Sequence, residues 1–113
     1  MAKSPARDVI PSGTLDVLIL TTLNRSGELH GFEIAEAIEA RSEDVLTVEE
    51  GSLYPALQRL LVRGWITDTW GHTSENRRAR YYRLTSAGRK HLEREVDRYQ
   101  RVARAIARVL SPA

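Results

Sequence analysis

The sequence predicts a mainly α-helical protein that carries a small two-stranded β-hairpin and ends in one long helix. Three observations predict it. Before residue 64, apolar residues recur at helical spacing in three short segments. After it, two aromatic and β-branched stretches flank a polar tip rich in turn formers. Beyond residue 84, Leu92, Val96, Tyr99, Ala103, Ile106 and Leu110 follow one another at spacings of 4, 3, 4, 3 and 4, a heptad-like seam.

The first helix is expected over residues 12–24. Ser12 is the expected N-cap, and Asp16 places negative charge in the early turns, where the helix dipole favours it. Leu15, Leu18, Ile19 and Leu23 share a face, while Val17 and Leu20 lie on others. A helix apolar nearly all round is usually covered on more than one side, and in so short a chain a second subunit is one source of that cover. Residues 25–29 break the pattern as a turn. A second helix follows over residues 30–40, with Ile34, Ala35 and Ile38 inward and His30 capping or packing at its start. Residues 41–46 are polar and read as a loop.

The third helix is expected to start with Ser52 as N-cap, which puts Pro55 at N3, where its missing N–H removes no intrahelical bond. Leu53, Leu57, Leu60 and Leu61 then face the core, and Gly64 closes the helix as its C′ residue. Tyr54, Gln58, Arg59 and Arg63 are left outward. Strands are expected over residues 65–70 and 80–84, with residues 71–79 as the hairpin tip. The last helix spans residues 85–110, capped by Thr85 or Ser86, with His91 on its surface. Three compact helices followed by a hairpin form the order of a winged helix-turn-helix. The expected division is a winged-helix domain at 12–84 and a C-terminal dimerisation helix at 85–110.

Composition narrows the function classes. A chain of 113 residues suits one domain with a modest core. No apolar run reaches the length of a membrane span, and the polar start lacks the apolar stretch of a secretory signal, so a cytoplasmic location is expected. There are no cysteines, which excludes disulfides and thiolate metal sites. His30, His72 and His91 fall in three separate elements without ligand spacing. No enzyme, metal site or cofactor is therefore expected. The net charge of +2 conceals an asymmetry: −6 over residues 1–75 and +8 over residues 76–113. A basic block of this kind suits a polyanion, or else a solvated arginine-rich helix face.

The third helix is the candidate for the major groove of double-stranded DNA, which admits one α-helix. Ser52 and Tyr54 offer hydroxyls at its start, and free N–H groups there suit phosphate. Gln58 matches adenine, and Arg59 and Arg63 can reach guanine or phosphate. Arg77, Arg78 and Arg80 at the hairpin suit the backbone or minor groove. Glu49 and Glu50 fit a DNA surface least well and read as structural, pairing with a nearby arginine. The terminal seam calls for a partner surface, either a second copy or the protein's own first helix, and a two-fold dimer would present two reading heads to a palindromic site.

Several blocks resemble the PadR-like transcriptional regulators. They are Gly13-Thr14-Leu15-Asp16-Val17-Leu18-Ile19-Leu20, Glu28-Leu29-His30-Gly31-Phe32-Glu33-Ile34 and Glu49-Glu50-Gly51-Ser52-Leu53-Tyr54-Pro55-Ala56-Leu57. To these is added Arg77-Arg78-Ala79-Arg80-Tyr81-Tyr82-Arg83-Leu84-Thr85-Ser86-Ala87-Gly88. The resemblance implies a winged-helix homodimer that represses nearby genes, with Ser52, Tyr54 and Pro55 opening the recognition helix and the wing arginines on DNA. It is to the shorter branch, with a single C-terminal dimerisation helix. Some relatives take a drug-like or phenolic small-molecule effector at the dimer interface, in some cases through a tryptophan on that helix. This chain has no tryptophan after Trp70, which leaves Tyr99 as the aromatic contribution to such a pocket. The competing reading is a winged-helix protein-interaction module that does not bind DNA.

Overall fold

The computed structural model describes residues 7–11 and 13–112. In chain order it contains β1 (Asp8–Val9), α1 (Leu15–Ser26), β2 (Leu29–His30), α2 (Gly31–Arg41), β3 (Leu46–Thr47), α3 (Glu50–Val62), β4 (Ile66–His72), β5 (Arg78–Leu84) and α4 (Ser86–Leu110). The expected winged helix-turn-helix with a long terminal helix is the observed fold. The residue expected to cap the first helix, Ser12, lies outside the described residues; Thr14 occupies the N-cap position without a side-chain bond.

Helix α1 is the centre of the core and packs against α2, α3, β5 and α4. Leu15, Ile19, Leu20 and Leu23 are buried on it. They meet Ile34 and Ile38 of α2 and Leu53, Ala56, Leu57 and Leu60 of α3. The all-round apolar character of α1 is satisfied within the chain: Leu20 lies beside Trp65 and His91, where α4 covers it. A second subunit is not needed for that cover.

Helix α2 starts where the sequence suggests, by a reciprocal cap. The backbone N–H of Glu33 donates to His30 Nδ1 at 3.4 Å, and the His30 N–H donates to Glu33 Oε1 at 3.1 Å. Two otherwise orphaned donors are thereby satisfied, as in a capping box. At the other end of the domain, Gly64 follows the C-cap Arg63 with φ +75°, the left-handed conformation that ends a helix at low cost for glycine. Thr85 caps α4, its hydroxyl accepting from the Gly88 N–H at 3.0 Å and donating to the Gly64 carbonyl at 2.7 Å.

The sheet departs from the expected two strands. Leu29, expected in a turn, and His30, expected at the start of the second helix, form β2 and pair antiparallel with Tyr82 and Tyr81 of β5. The sheet therefore has three strands in the order β2-β5-β4. A second, two-stranded sheet joins β1 to β3 in parallel, with Asp8 opposite Leu46 and Val9 opposite Thr47. Arg7 reinforces this tether through Glu39 at 3.3 Å and Asp44 at 3.6 Å. Residues 41–46 are thus partly strand, with Glu43 and Asp44 in the left-handed region turning the chain.

Candidate nucleic-acid interface

Helix α3 begins three residues earlier than expected. Glu49 is the N-cap, its backbone extended and its carbonyl accepting from the Leu53 N–H at 2.9 Å. Ser52 is therefore the third helical residue, not the cap, and Pro55 is the sixth, not N3. At the sixth position the missing N–H leaves the Gly51 carbonyl without its α-helical partner. Ser52, Pro55, Gln58 and Arg59 all lie on the exposed side, opposite buried Leu53, Leu57 and Leu60. Val62 joins them at 80% exposure, so the outer face of α3 is free of covering chain.

The polar side chains of α3 are partly engaged from behind. Arg59 donates to Asp16 of α1 through Nη2 at 2.8 Å and Nε at 3.4 Å, and hydrogen bonding to Asp16 raises its pKa. Arg63 lies 5.1 Å from the Trp65 ring centre. Tyr54 is half-exposed, and its ring rests on Gly31 at the start of α2: a Cβ there would meet the Tyr54 hydroxyl at 3.1 Å. Glu49 and Glu50 pair with no arginine among the described residues; Arg7 meets Glu39 instead.

The hairpin extends further than the sequence suggests, leaving a tip of only residues 73–77. Its register sets Ile66, Asp68, Trp70 and His72 directly across from Leu84, Tyr82, Arg80 and Arg78. Opposed residues share a face. At the root this face is core, with Ile66 and Tyr82 buried. Towards the tip it becomes Trp70, Arg78 and Arg80. Arg80 pairs with Asp68 at 2.7 Å. Burial pushes the Tyr82 phenol up, opposed by nearby Arg80 and reinforced by Asp68 and Tyr54. Tyr82 is buried in the same core as Leu53 and Leu57 of α3, at the root of the arginine-bearing side of the hairpin. Arg77 is at the exposed tip, its N–H donating to the Thr73 hydroxyl at 3.1 Å.

Helix α4 divides in two. Leu92 is buried and Val96 packs against the core, so these two seam residues are engaged within the chain. Tyr99, Ala103, Ile106 and Leu110 are exposed, and Val102 and Val109 extend the apolar stripe. His91 is not on the open surface as expected. Its ring stacks on Trp65 at 3.5 Å and 12° beside a cleft of about 190 Å³, lined also by Asp16, Arg98 and Tyr99.

Burial pushes the His91 imidazole below its usual 6.5; Glu95 opposes this, and Arg94, Arg63 and Arg98 add to it. As pH falls the unfolded chain takes up this proton first. The stability contributed by neutral His91 is therefore complete above about 6.5 and is lost as pH drops through the lowered folded value. Urea midpoints should fall as pH drops below about 6.5, and His91→Phe should flatten the fall. An unchanged pH profile in the variant would show that another group is responsible.

The Transcriptional regulator PadR-like family matches residues 19–94. The chain belongs to this family. The chain is also similar to an uncharacterized protein of Lysinibacillus sphaericus, 31% identical over 88% of this chain and 91% of that protein's length. It is similar to the solved structure of a transcriptional regulator from Clostridium thermocellum, 27% identical, the match covering 88% of this chain and 95% of that one at a TM-score of 0.78. The structure of Bacillus subtilis PadR in complex with operator DNA is 26% identical, covering 74% of this chain and 47% of that one at a TM-score of 0.64. Among the described residues of this PadR-like chain, no helix is long and apolar enough to cross a membrane.

Sequence reasoning missed three residues around the PadR-like helix and hairpin: Asp16, Asp68 and Trp70. Asp16 lies 43 positions from Arg59, and no local pattern links them. Asp68 sits diagonally across from Arg80, a neighbour relation visible only when the strand register is known.

Proposed function

We propose that this transcriptional regulator is a DNA-binding repressor that acts in the cytoplasm as a homodimer on a palindromic operator. The observation that carries the reading is the uncovered outer face of α3 together with the exposed arginines on one face of the hairpin. The operator complex of the Bacillus subtilis relative supports it. In this reading α3 enters the major groove. Gln58 reads a base, while Ser52, Tyr54, Pro55, Arg59 and Arg63 position the helix on the backbone. Arg77, Arg78 and Arg80 of the hairpin follow the neighbouring phosphates. The 85–110 helix acts as the dimerisation unit of the 12–84 reading domain through Tyr99, Ala103, Ile106 and Leu110. The cleft between Trp65, His91 and Tyr99 is the place for a small-molecule effector, since it lies between the reading domain and that helix.

The test is duplex binding as a function of salt, using the promoter fragment upstream of the protein's own gene. A DNA reader loses affinity steeply as salt rises, with a log–log slope of about −0.9 per phosphate contact. Arg77→Ala and Arg78→Ala should weaken binding to all sequences and flatten the slope. Gln58→Ala should instead relax preference at one base pair, worth about 1–3 kcal/mol of discrimination; unchanged specificity in a footprint would remove Gln58 from the readout. The exposed Glu49 and Glu50 at the start of α3 favour one second reading, a protein-interaction module. Wild-type protein without salt-dependent duplex binding would establish that reading over the first.

A further inference from the structure

Trp70 is the one large aromatic of the hairpin that the fold does not use. It is 58% exposed, whereas tryptophan contributes to stability chiefly by burial. What its ring contacts is charge. The guanidinium carbon of Arg78 lies 4.3 Å from the ring centre and that of Arg80 lies 5.5 Å from it. Strand register places all three side chains on one face, since Trp70 is directly opposite Arg80 and Arg78 is the next residue along that face.

The surroundings make this more than a chance stack. Asp68, on the same face, holds Arg80 from the other side at 2.7 Å. The opposite face of the hairpin carries Thr67, Thr69, Ala79 and Tyr81, with Arg83 as its one arginine. Tyr81 lies across Gly71 there: a Cβ on Gly71 would stand 2.9 Å from the ring. The two faces are therefore chemically distinct. The face with Trp70 runs at its root into the core shared with α3, where Ile66 and Tyr82 are buried together with Leu53 and Leu57.

Arginines on an open hairpin sample many rotamers, and that freedom is lost when each meets a phosphate. A flat ring beneath two guanidinium groups removes part of the cost beforehand. We propose that Trp70 is a positioning residue for DNA binding, whose ring sets Arg78 and Arg80 on the hairpin face whose root shares its core with α3. Because Asp68 already neutralises Arg80, Arg78 carries the uncompensated charge of this face and makes its phosphate contact. The assignment rests on the DNA-binding reading above.

The experiment measures binding of the full-length protein to a random-sequence duplex over a series of salt concentrations. Trp70→Ala should weaken binding about tenfold while leaving the salt slope unchanged, because no charge is removed. Trp70→Phe, which keeps a ring, should bind nearly as wild type. Arg78→Ala should reduce the slope by about 0.9, and Arg83→Ala, on the other face, should leave binding unchanged. In an Arg78→Ala, Arg80→Ala background, Trp70→Ala should have no further effect. Wild-type affinity in Trp70→Ala overturns the proposal. So does a loss that persists in the arginine-free background, since Trp70 would then touch DNA itself. If Trp70→Ala fails to fold, Trp70→Phe decides: a folded variant as weak as Arg78→Ala overturns the positioning role. Absence of salt-dependent binding by the wild type would instead overturn the DNA-binding reading, which is a separate result.

Discussion

Gly88→Ala is expected to destabilise the protein by about 3 kcal/mol or more, at the upper end of what overpacking costs. The added Cβ would fall 2.0 Å from the Trp65 carbonyl oxygen and 2.9 Å from Leu84 Cδ1. The first of these is backbone, which cannot step aside as a flexible side chain can. To accept the methyl group, α4 must move away from the start of β4. That motion would loosen the Thr85 cap, whose hydroxyl bridges Gly64 and Gly88. Urea unfolding of the variant provides the measurement. Gly51→Ala is the matched control: a Cβ there meets nothing within 4 Å. It should be neutral, or stabilise by about 0.5–1 kcal/mol through the helix propensity of alanine. Equal midpoints for Gly88→Ala and wild type would mean that α4 does not dock as described.

Ile106→Glu is expected to give a monomer on a sizing column and to weaken operator binding about a hundredfold or more, because two linked reading heads gain affinity over one. Ile106 is 54% exposed and lies well beyond the part of α4 that packs on α1. A charge there leaves the monomer's core intact while opposing burial of the stripe against a second copy. Val96 is unsuited to the same test. It packs on the core, so a charge there would unfold the domain and report nothing about assembly. A persistent dimer in Ile106→Glu would place the interface elsewhere. A monomer that keeps full affinity would mean that one reading head suffices.

These two positions show how far the sequence could be read. The 4-3-4 spacing from Leu92 to Leu110 reveals an apolar stripe and therefore a helix. It does not say which neighbour covers each part, and Leu92 and Val96 are covered by the chain itself while Ile106 is not. Local chemistry was legible wherever a short-range bond decides the structure. The His30–Glu33 cap, Gly64 after α3 and the Thr85 cap are of this kind. The start of α3 was misleading because Ser52 has the intrinsic preference for an N-cap, whereas Glu49 supplies the extended backbone and the carbonyl that begin the helix. Strand β2 was hidden because two residues cannot display a period, and its partners Tyr81 and Tyr82 lie about fifty positions away. The interface shows the same division. Gln58 and the arginines could be named from residue type and spacing, whereas Asp16, Asp68 and Trp70 are defined by what they touch.

The junction between β5 and α4 is a single residue, Thr85, bonded to both the end of α3 and the first turn of α4. In the proposed dimer this leaves no hinge between the reading heads and the helix that joins them. The protein would then measure distance along DNA as a rigid caliper. Operators whose half-sites are moved apart by about five base pairs would turn one head to the far side of a duplex that repeats every 10–10.5 base pairs, roughly. Adding about one full turn would restore the facing but not the reach. Genuine target sites should therefore share one fixed spacing, with variation confined to the bases themselves.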